Sequence, residues 1–157
     1  MIWLGSFWTR LPSKPAVVSI ARWSPQWFKG PTLFELAPVF ADGTPFGKVG
    51  DKRRWIELYQ AALSERGRLR AARRRVDGLL AEHADILLAC WCKTGRFRRD
   101  DSYSGNFCHR LLAGRLLSRL GYAAEVVDLD CSQCRGQLSF DGAVVAGEFV
   151  CKRCSQA

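Results

Sequence analysis

The segment 85–129 constrains the fold of this chain more than any other part of its sequence. It begins with a short apolar run at residues 86–90, which is typical of a buried strand. An amphipathic helix is predicted from about Asn106, a good N-cap residue, to Gly121, which suits the position after a helix end. Residues 124–129 then have the composition of a second strand. This order of elements predicts a βαβ unit with parallel strands.

Further apolar segments extend this unit into a small sheet. Residues 1–8 are predicted to form a short strand, and residues 16–21 are β-branched and apolar nearly throughout, as in a strand covered on both faces. Helical spacing of apolar residues predicts two helices, at about 51–65 and 69–83. We therefore expect an α/β domain over residues 1–129, with a small, mostly parallel, Rossmann-like sheet and flanking helices.

The charge balance of the chain favours anionic partners such as nucleotides or nucleic acid. The 24 Lys and Arg residues exceed the 15 Asp and Glu residues, and the formal net charge is +9. The strongest basic patch is a run of arginines between Arg66 and Arg75, on the second predicted helix. This patch is interpreted either as a solvated helix face or as a contact for nucleic-acid phosphates.

The N-terminal sequence, the length of the apolar runs and the cysteine content indicate the cellular compartment that we expect for the protein. The N-terminus lacks the basic flank and apolar run of a signal peptide. No apolar run approaches the ~18 residues that would span a bilayer. We therefore expect a soluble cytoplasmic protein with no membrane partner. Its seven cysteines then indicate metal binding or reactivity more than disulfides.

Three cysteines and a histidine meet where the central strand is expected to end and the helix to begin. They are Cys90, Cys92, Cys108 and His109, with Arg110 next in sequence. Ligands of open α/β sheets bind beyond the carboxyl ends of the strands. A cysteine in the first turn of a helix, near Arg110 or a protonated His109, is favoured as a thiolate. Cys108 could then be a nucleophile, a metal ligand or a redox centre, or a small buried residue that only packs.

The same residues admit a metal-binding interpretation. Cys90, Cys92, Cys108 and His109 together have the donors of a Cys₃His metal set. The close spacing within Cys-x-Cys and within Cys-His makes that geometry awkward for one tetrahedral ion. The polar loop 93–105 between them is long for a strand-to-helix connection, and long loops are often functional.

An aromatic segment follows the second predicted strand. It contains Trp23 and Trp27 together with prolines that exclude a long regular element. Such a segment either packs against the domain or lines a pocket. In the pocket interpretation Arg22 and Lys29 face an anion, while one of the tryptophans stacks on a flat group.

The composition changes after residue 129, where two Cys-x-x-Cys pairs occur. The four cysteines are Cys131, Cys134, Cys151 and Cys154. This spacing predicts a structural zinc site, since four thiolates complete a tetrahedron and leave no open position. Asp141-Gly142 between two apolar runs predicts a hairpin turn. We therefore expect a zinc ribbon over residues 130–157, with zinc supplying much of its folding free energy.

Ordered motifs along the α/β domain carry a resemblance to a known family. They are Val-Val-Ser-Ile-Ala-Arg-Trp-Ser-Pro at 17–25, the segments 27–30 and 36–38, Cys90 at the end of an apolar strand, and Phe-Cys-His-Arg at 107–110. By these motifs the chain resembles the bacterial and phage family known as domain of unknown function family 488. The resemblance implies an α/β fold and a site around the Cys-His-Arg motif, without a settled activity. The chain departs from the family in Cys92, where an acidic residue is frequent, and in its longer loop before Phe107.

These residues support two hypotheses about function. In the first, the protein is a cysteine-dependent hydrolase or transferase acting on a nucleotide-like or phosphate-bearing ligand. Cys108 would be the nucleophile, His109 a proton carrier and Arg110 the anion partner. The residues expected to line the ligand pocket are Cys90, Cys92, Arg22 and Ser24. In the alternative, the protein is a zinc-ribbon accessory module that binds nucleic acid, or a metal-stabilised interaction protein. The sequence leaves the oligomeric state open.

Overall fold

The centre of the molecule is a sheet of four parallel strands. The computed structural model describes residues 1–39, 52–91 and 108–127, and the backbone of 143–145 and 148–150; side chains are described from residue 54 onward in the second range. The strands are β1 (Ile2–Ser6), β2 (Ala16–Ser19), β3 (Ile86–Cys90) and β4 (Ala124–Val126), in the spatial order β2-β3-β1-β4. All three pairings are parallel, which confirms the predicted α/β fold with a small parallel sheet.

The two faces of the sheet contribute side chains to two different hydrophobic clusters. Ile2 and Leu4 of β1 and Ile86 and Leu88 of β3 belong to the main hydrophobic core, because side chains along a strand alternate between faces. Ala89 points the other way and packs in a smaller cluster with residues of the loops after β1 and β2. Both faces of the central strands are therefore covered, as the apolar composition of β3 predicts.

Three helices complete the domain. They are α1 (Lys52–Ser64), α2 (Arg66–Glu82) and α3 (His109–Arg119), and a 3-10 turn lies at Phe34–Leu36. Each helix contributes apolar side chains to the main core, among them Tyr59, Val76 and Leu111. A single extended residue, Glu65, separates α1 from α2. α2 begins at Arg66, three residues before the predicted start.

The start of α3 differs from the prediction, whereas its end agrees with it. The helix begins at His109, and Cys108 is its N-cap, with an extended backbone at φ −144° and ψ 140°. The predicted N-cap Asn106 lies outside the described residues, and Cys108 precedes the first turn rather than lying within it. Gly121 has φ +92°, the left-handed conformation that favours glycine after a helix.

Part of the predicted C-terminal module falls within the described backbone. The strand β5 (Ala143–Val145) pairs antiparallel with β6 (Glu148–Val150). The first arm of the predicted hairpin, its Asp141-Gly142 turn, and the domain boundary at 129–130 lie outside the described residues, as do all four cysteines of the predicted ribbon. Within the described ranges, none of the helices combines the length and the apolar composition needed to cross a membrane.

Candidate functional site

Two thiols meet at the carboxyl edge of the sheet. Cys90 is the last residue of β3, and Cys108 is the N-cap of α3. Their Sγ atoms lie 3.2 Å apart, and both side chains are buried. The sequence predicted that these residues lie close together, and the structure confirms it. The third predicted member, Cys92, lies outside the described residues.

The side chain of His109 contacts the backbone of Ile20, the residue directly after β2. Its Nε2 lies 3.0 Å from the carbonyl oxygen of Ile20. A carbonyl oxygen only accepts hydrogen bonds, so Nε2 carries the proton and Nδ1 of the neutral ring has the lone pair. That Nδ1 lies 3.9 Å from Sγ of Cys108.

The ring of His109 is neutral near pH 7. Burial lowers its pKa below the usual value and outweighs the opposing effects of Cys90 and of the Ile20 carbonyl, and the Arg110 cation adds a smaller lowering effect. The expectation that a protonated His109 stabilises a thiolate is therefore not supported. The neutral ring is instead a base that can accept a proton at Nδ1.

The side chain of Arg110 is turned toward the thiol pair. Its side chain is fully buried, and its Nη1 lies 3.8 Å from Sγ of Cys90. The guanidinium thus points into the protein toward sulfur, and its role as an anion partner stays a prediction. A buried cation favours negative charge on a neighbouring group, and the group beside this guanidinium is the sulfur of Cys90.

Sequence reasoning missed the contribution of Tyr59. Its ring packs edge-on against the His109 ring, with centroids 5.9 Å apart, and its hydroxyl donates to the carbonyl oxygen of Leu36 at 2.6 Å. Burial raises the pKa of Tyr59 well above its usual value, so the hydroxyl remains a donor. The only signal in the sequence is that Tyr59 lies on the apolar side of α1, which does not distinguish it from a core residue.

The other predicted pocket residues lie in the loop after β2. The hydroxyl of Ser24 donates to Oγ of Ser19 at 2.7 Å, and Ser19 is fully buried at the end of β2. Arg22 turns toward the neighbouring indole, with its Cζ 3.9 Å from the centroid of the Trp23 ring. These residues share the carboxyl edge of the sheet with the thiols, but Ser24 is engaged with the strand and Arg22 with an aromatic ring.

The donor atoms of Cys90, Cys108 and His109 lie close enough together to bind a metal ion. One ligand atom from each residue lies within 4.8 Å of the others. Two thiolates and an imidazole suit zinc and other transition metals. The contact from Nε2 of His109 to a backbone carbonyl is the usual way in which a metal-binding histidine is oriented. These residues could therefore hold a metal in place of acting as a catalytic pair.

Two arginines of the predicted basic patch have structural roles. Arg68 donates to the carbonyl oxygens of Glu35, Ala37 and Val39 at 2.5–2.7 Å. Arg75 donates to the carbonyl oxygen of Thr32 at 2.9 Å. Both side chains thereby hold the segment 32–39 against α2. The other four arginines of the patch are exposed: Arg66, Arg70, Arg73 and Arg74.

Comparison with known proteins assigns no relative to this chain. No family model matches the sequence, and no curated protein or solved structure matches it significantly. The resemblance to domain of unknown function family 488 therefore stays a prediction from the motifs. A function for the chain has to be inferred from the geometry of its described residues.

Proposed function

We propose that the protein is a cysteine-dependent α/β hydrolase or transferase acting on a nucleotide-like or phosphate-bearing ligand. Cys108 is its nucleophile and His109 is the base. The observation that carries the proposal is the orientation of the His109 ring, whose Nε2 lies 3.0 Å from the carbonyl oxygen of Ile20 while Nδ1 lies 3.9 Å from the sulfur of Cys108. A nucleophile beside an oriented base is the recurring arrangement of covalent catalysis.

The proposed chemistry follows from these positions. Nδ1 of His109 accepts the thiol proton of Cys108, and the sulfur attacks the electrophilic phosphorus or carbon of the ligand. The leaving group departs with its bonding electron pair and takes the proton from Nδ1. Water or another acceptor then releases the group held on sulfur. The buried Arg110 guanidinium beside Cys90 supports negative charge in the thiol pair.

Three features support an anionic ligand. The carboxyl edge of a parallel sheet is where α/β proteins bind ligands. The first turn of α3, directly after Cys108, has backbone N–H groups suited to an anion. The net charge of +9 favours the approach of negatively charged molecules. The proposed membership of domain of unknown function family 488 is consistent with a site at Cys108, His109 and Arg110.

Alkylation mapped by mass spectrometry tests the proposal. Iodoacetamide should label Cys108 at about pH 5.5, where an ordinary thiol is almost wholly protonated. His109→Ala should move the labelling of Cys108 to alkaline pH, whereas Ser118→Ala, at an exposed position of the same helix, should leave it unchanged. A Cys108 that reacts only at alkaline pH in the unaltered chain would exclude the nucleophile.

A metal centre at Cys90, Cys108 and His109 is the second candidate, favoured by the proximity of their donor atoms. In this case Nδ1 of His109 and the two sulfurs would be ligands, and the thiols would be unavailable to alkylating reagents. The close positive charge of Arg110 opposes a further cation unless both thiols are ionised. Metal analysis separates this candidate from the enzyme.

The C-terminal zinc ribbon and its partner remain proposals of their own. Cys131, Cys134, Cys151 and Cys154 would bind one structural zinc ion, and the ribbon with the exposed arginines of α2 would contact nucleic acid. The exposure of Arg66, Arg70, Arg73 and Arg74 supports this alternative function. It predicts an affinity for nucleic acid that falls steeply with salt and weakens in an Arg73→Ala, Arg74→Ala variant. Binding that ignores salt would contradict it.

A further inference from the structure

Four tryptophans form an exposed surface at the carboxyl edge of the sheet, which we name the tryptophan surface. They are Trp8 after β1, Trp23 and Trp27 after β2, and Trp91 after β3. Their side chains are exposed by 42%, 68%, 62% and 48%, respectively. Tryptophan is highly buried on average, and an exposed apolar patch of this kind marks a site of interaction.

Two rings of the tryptophan surface pack against a buried aromatic residue. The buried ring of Phe7 lies at its centre, with ring centroids 5.9 Å from Trp27 and 5.8 Å from Trp91. Trp8 in turn lies 5.8 Å from Trp91. The indole N–H of Trp91 donates to the backbone carbonyl of Trp23, which joins the loops after β2 and β3. The rings are therefore held in a fixed order rather than scattered over the surface.

Three of the four tryptophans lie in a stretch of sequence whose charged side chains are all basic. The chain contains no Asp or Glu before Glu35, although the same stretch contains four basic residues: Arg10, Lys14, Arg22 and Lys29. The Arg22 guanidinium stacks on the Trp23 ring. Flat rings interleaved with cations fit a partner that has flat rings and negative charges. A basic or purely aliphatic partner would leave one of these two features unused.

We propose that the tryptophan surface binds single-stranded nucleic acid. Bases stack on the exposed indoles, and Arg22 and Lys29 contact the phosphates. Three successive ring contacts form a row that runs from Trp8 through Trp91 and Phe7 to Trp27. This row is longer than one base can cover. A duplex keeps its base faces inside its own stack, so it cannot use these rings.

This binding is separate from the proposed thiol chemistry and from the arginines of α2. None of the residues of the tryptophan surface belongs to the group of Cys90, Cys108 and His109. Trp91 nevertheless follows Cys90 directly in the chain, so a bound strand would pass the carboxyl end of β3. Cys108→Ser should bind the strand as tightly as the unaltered chain does, and the two proposals can therefore fail independently.

Fluorescence anisotropy of the full chain with labelled oligothymidine or oligouridine of about 12 nucleotides tests the proposal. Trp27→Ala and Trp23→Ala should each weaken binding about 5- to 150-fold, which is the usual effect of removing one stacking ring. Phe34→Ala removes a ring that is 45% exposed but lies outside the tryptophan surface, and it should have no effect. Circular dichroism confirms that each variant is folded.

Several outcomes would overturn the proposal. One is the absence of binding to either strand at low salt, and another is unchanged affinity in both tryptophan variants. Equal affinity for the matching duplex, or full competition by a mononucleotide at similar concentration, would exclude a strand stacked along the row. Loss of binding in the Arg73→Ala, Arg74→Ala variant with normal binding in the tryptophan variants would assign the contact to α2 instead.

Discussion

The Sγ atoms of Cys90 and Cys108 lie 3.2 Å apart, although eighteen residues separate them in the chain. One sulfur is at the end of a central strand and the other is at the N-cap of the following helix. The Nδ1 atom of His109 and the guanidinium of Arg110 approach the same pair. The short Cys-His-Arg motif therefore contributes a base and a cation to one buried thiol pair.

Mild oxidation should join the two thiols. Diamide accepts the two hydrogen atoms of Cys90 and Cys108 as their sulfurs form a disulfide, and the short distance requires little movement. Peptide mapping without reduction should then detect the crosslinked pair. In the Cys90→Ser variant, Cys108 should remain a thiol or become bonded to a group other than residue 90. Crosslinking of Cys108 to other cysteines in preference to Cys90 would contradict the described geometry.

Elemental analysis should find about one zinc ion per purified chain, because two Cys-x-x-Cys pairs complete one tetrahedral site. Replacement of Cys131 or Cys151 by Ser should remove it, whereas Cys90→Ser should not. A second equivalent that disappears with Cys90→Ser or Cys108→Ser would establish the metal centre and exclude Cys108 as the nucleophile. If Cys131→Ser left the zinc content unchanged, this result would contradict the predicted zinc site of the ribbon.

His109 should make the protein less stable in mild acid. Burial keeps the pKa of His109 in the folded protein below its unfolded value of 6.5. As the pH falls below about 6.5, the unfolded chain binds a proton that the folded chain does not, so the free energy of unfolding decreases. Urea unfolding at about pH 7.5 and about pH 5.5 measures this loss.

The matched variant for this measurement is His109→Gln, which removes the titrating ring. It should lose less stability than the unaltered chain over the same pH interval, even if it is less stable at both values. Carboxylates titrate alike in both chains and cancel in the comparison. Identical pH dependence in the two chains would show that the pKa of His109 is the same in the folded and the unfolded chain, which would contradict its lowering by burial.

Arg68 should contribute more to stability than its neighbours on α2. Arg68→Ala leaves three carbonyl oxygens of the segment 35–39 without their donor, and we expect a loss of about 2–3 kcal/mol in the free energy of unfolding. Arg70→Ala, at an exposed position of the same helix, should change it by less than about 0.5 kcal/mol. Equal effects of the two substitutions in chemical denaturation would contradict the described contacts.

The sequence by itself determined the elements of the fold and the local part of the site. Strand and helix follow from the spacing of apolar residues, which is a local property, and this spacing predicts β3 and α3. The glycine at position 121 likewise marks the end of α3, where its φ is positive. The neighbouring positions of Cys108, His109 and Arg110 likewise need no knowledge of distant residues. The predicted start of α3 near Asn106 was wrong by a few residues, since the helix begins at His109, and local preferences fix the ends of an element less well than its existence.

Only the tertiary structure decided what each polar group contacts. The tautomer of His109 depends on the Ile20 carbonyl, which is eighty-nine residues away in the chain. The role of Arg68 depends on the segment 35–39, and the apolar pattern of α2 does not indicate that this segment packs against it. A hydrophobic pattern specifies which side of an element is buried, but not which distant segment covers it. Hydrogen-bond partners are set by that packing, since a buried donor must find whatever acceptor lies beside it.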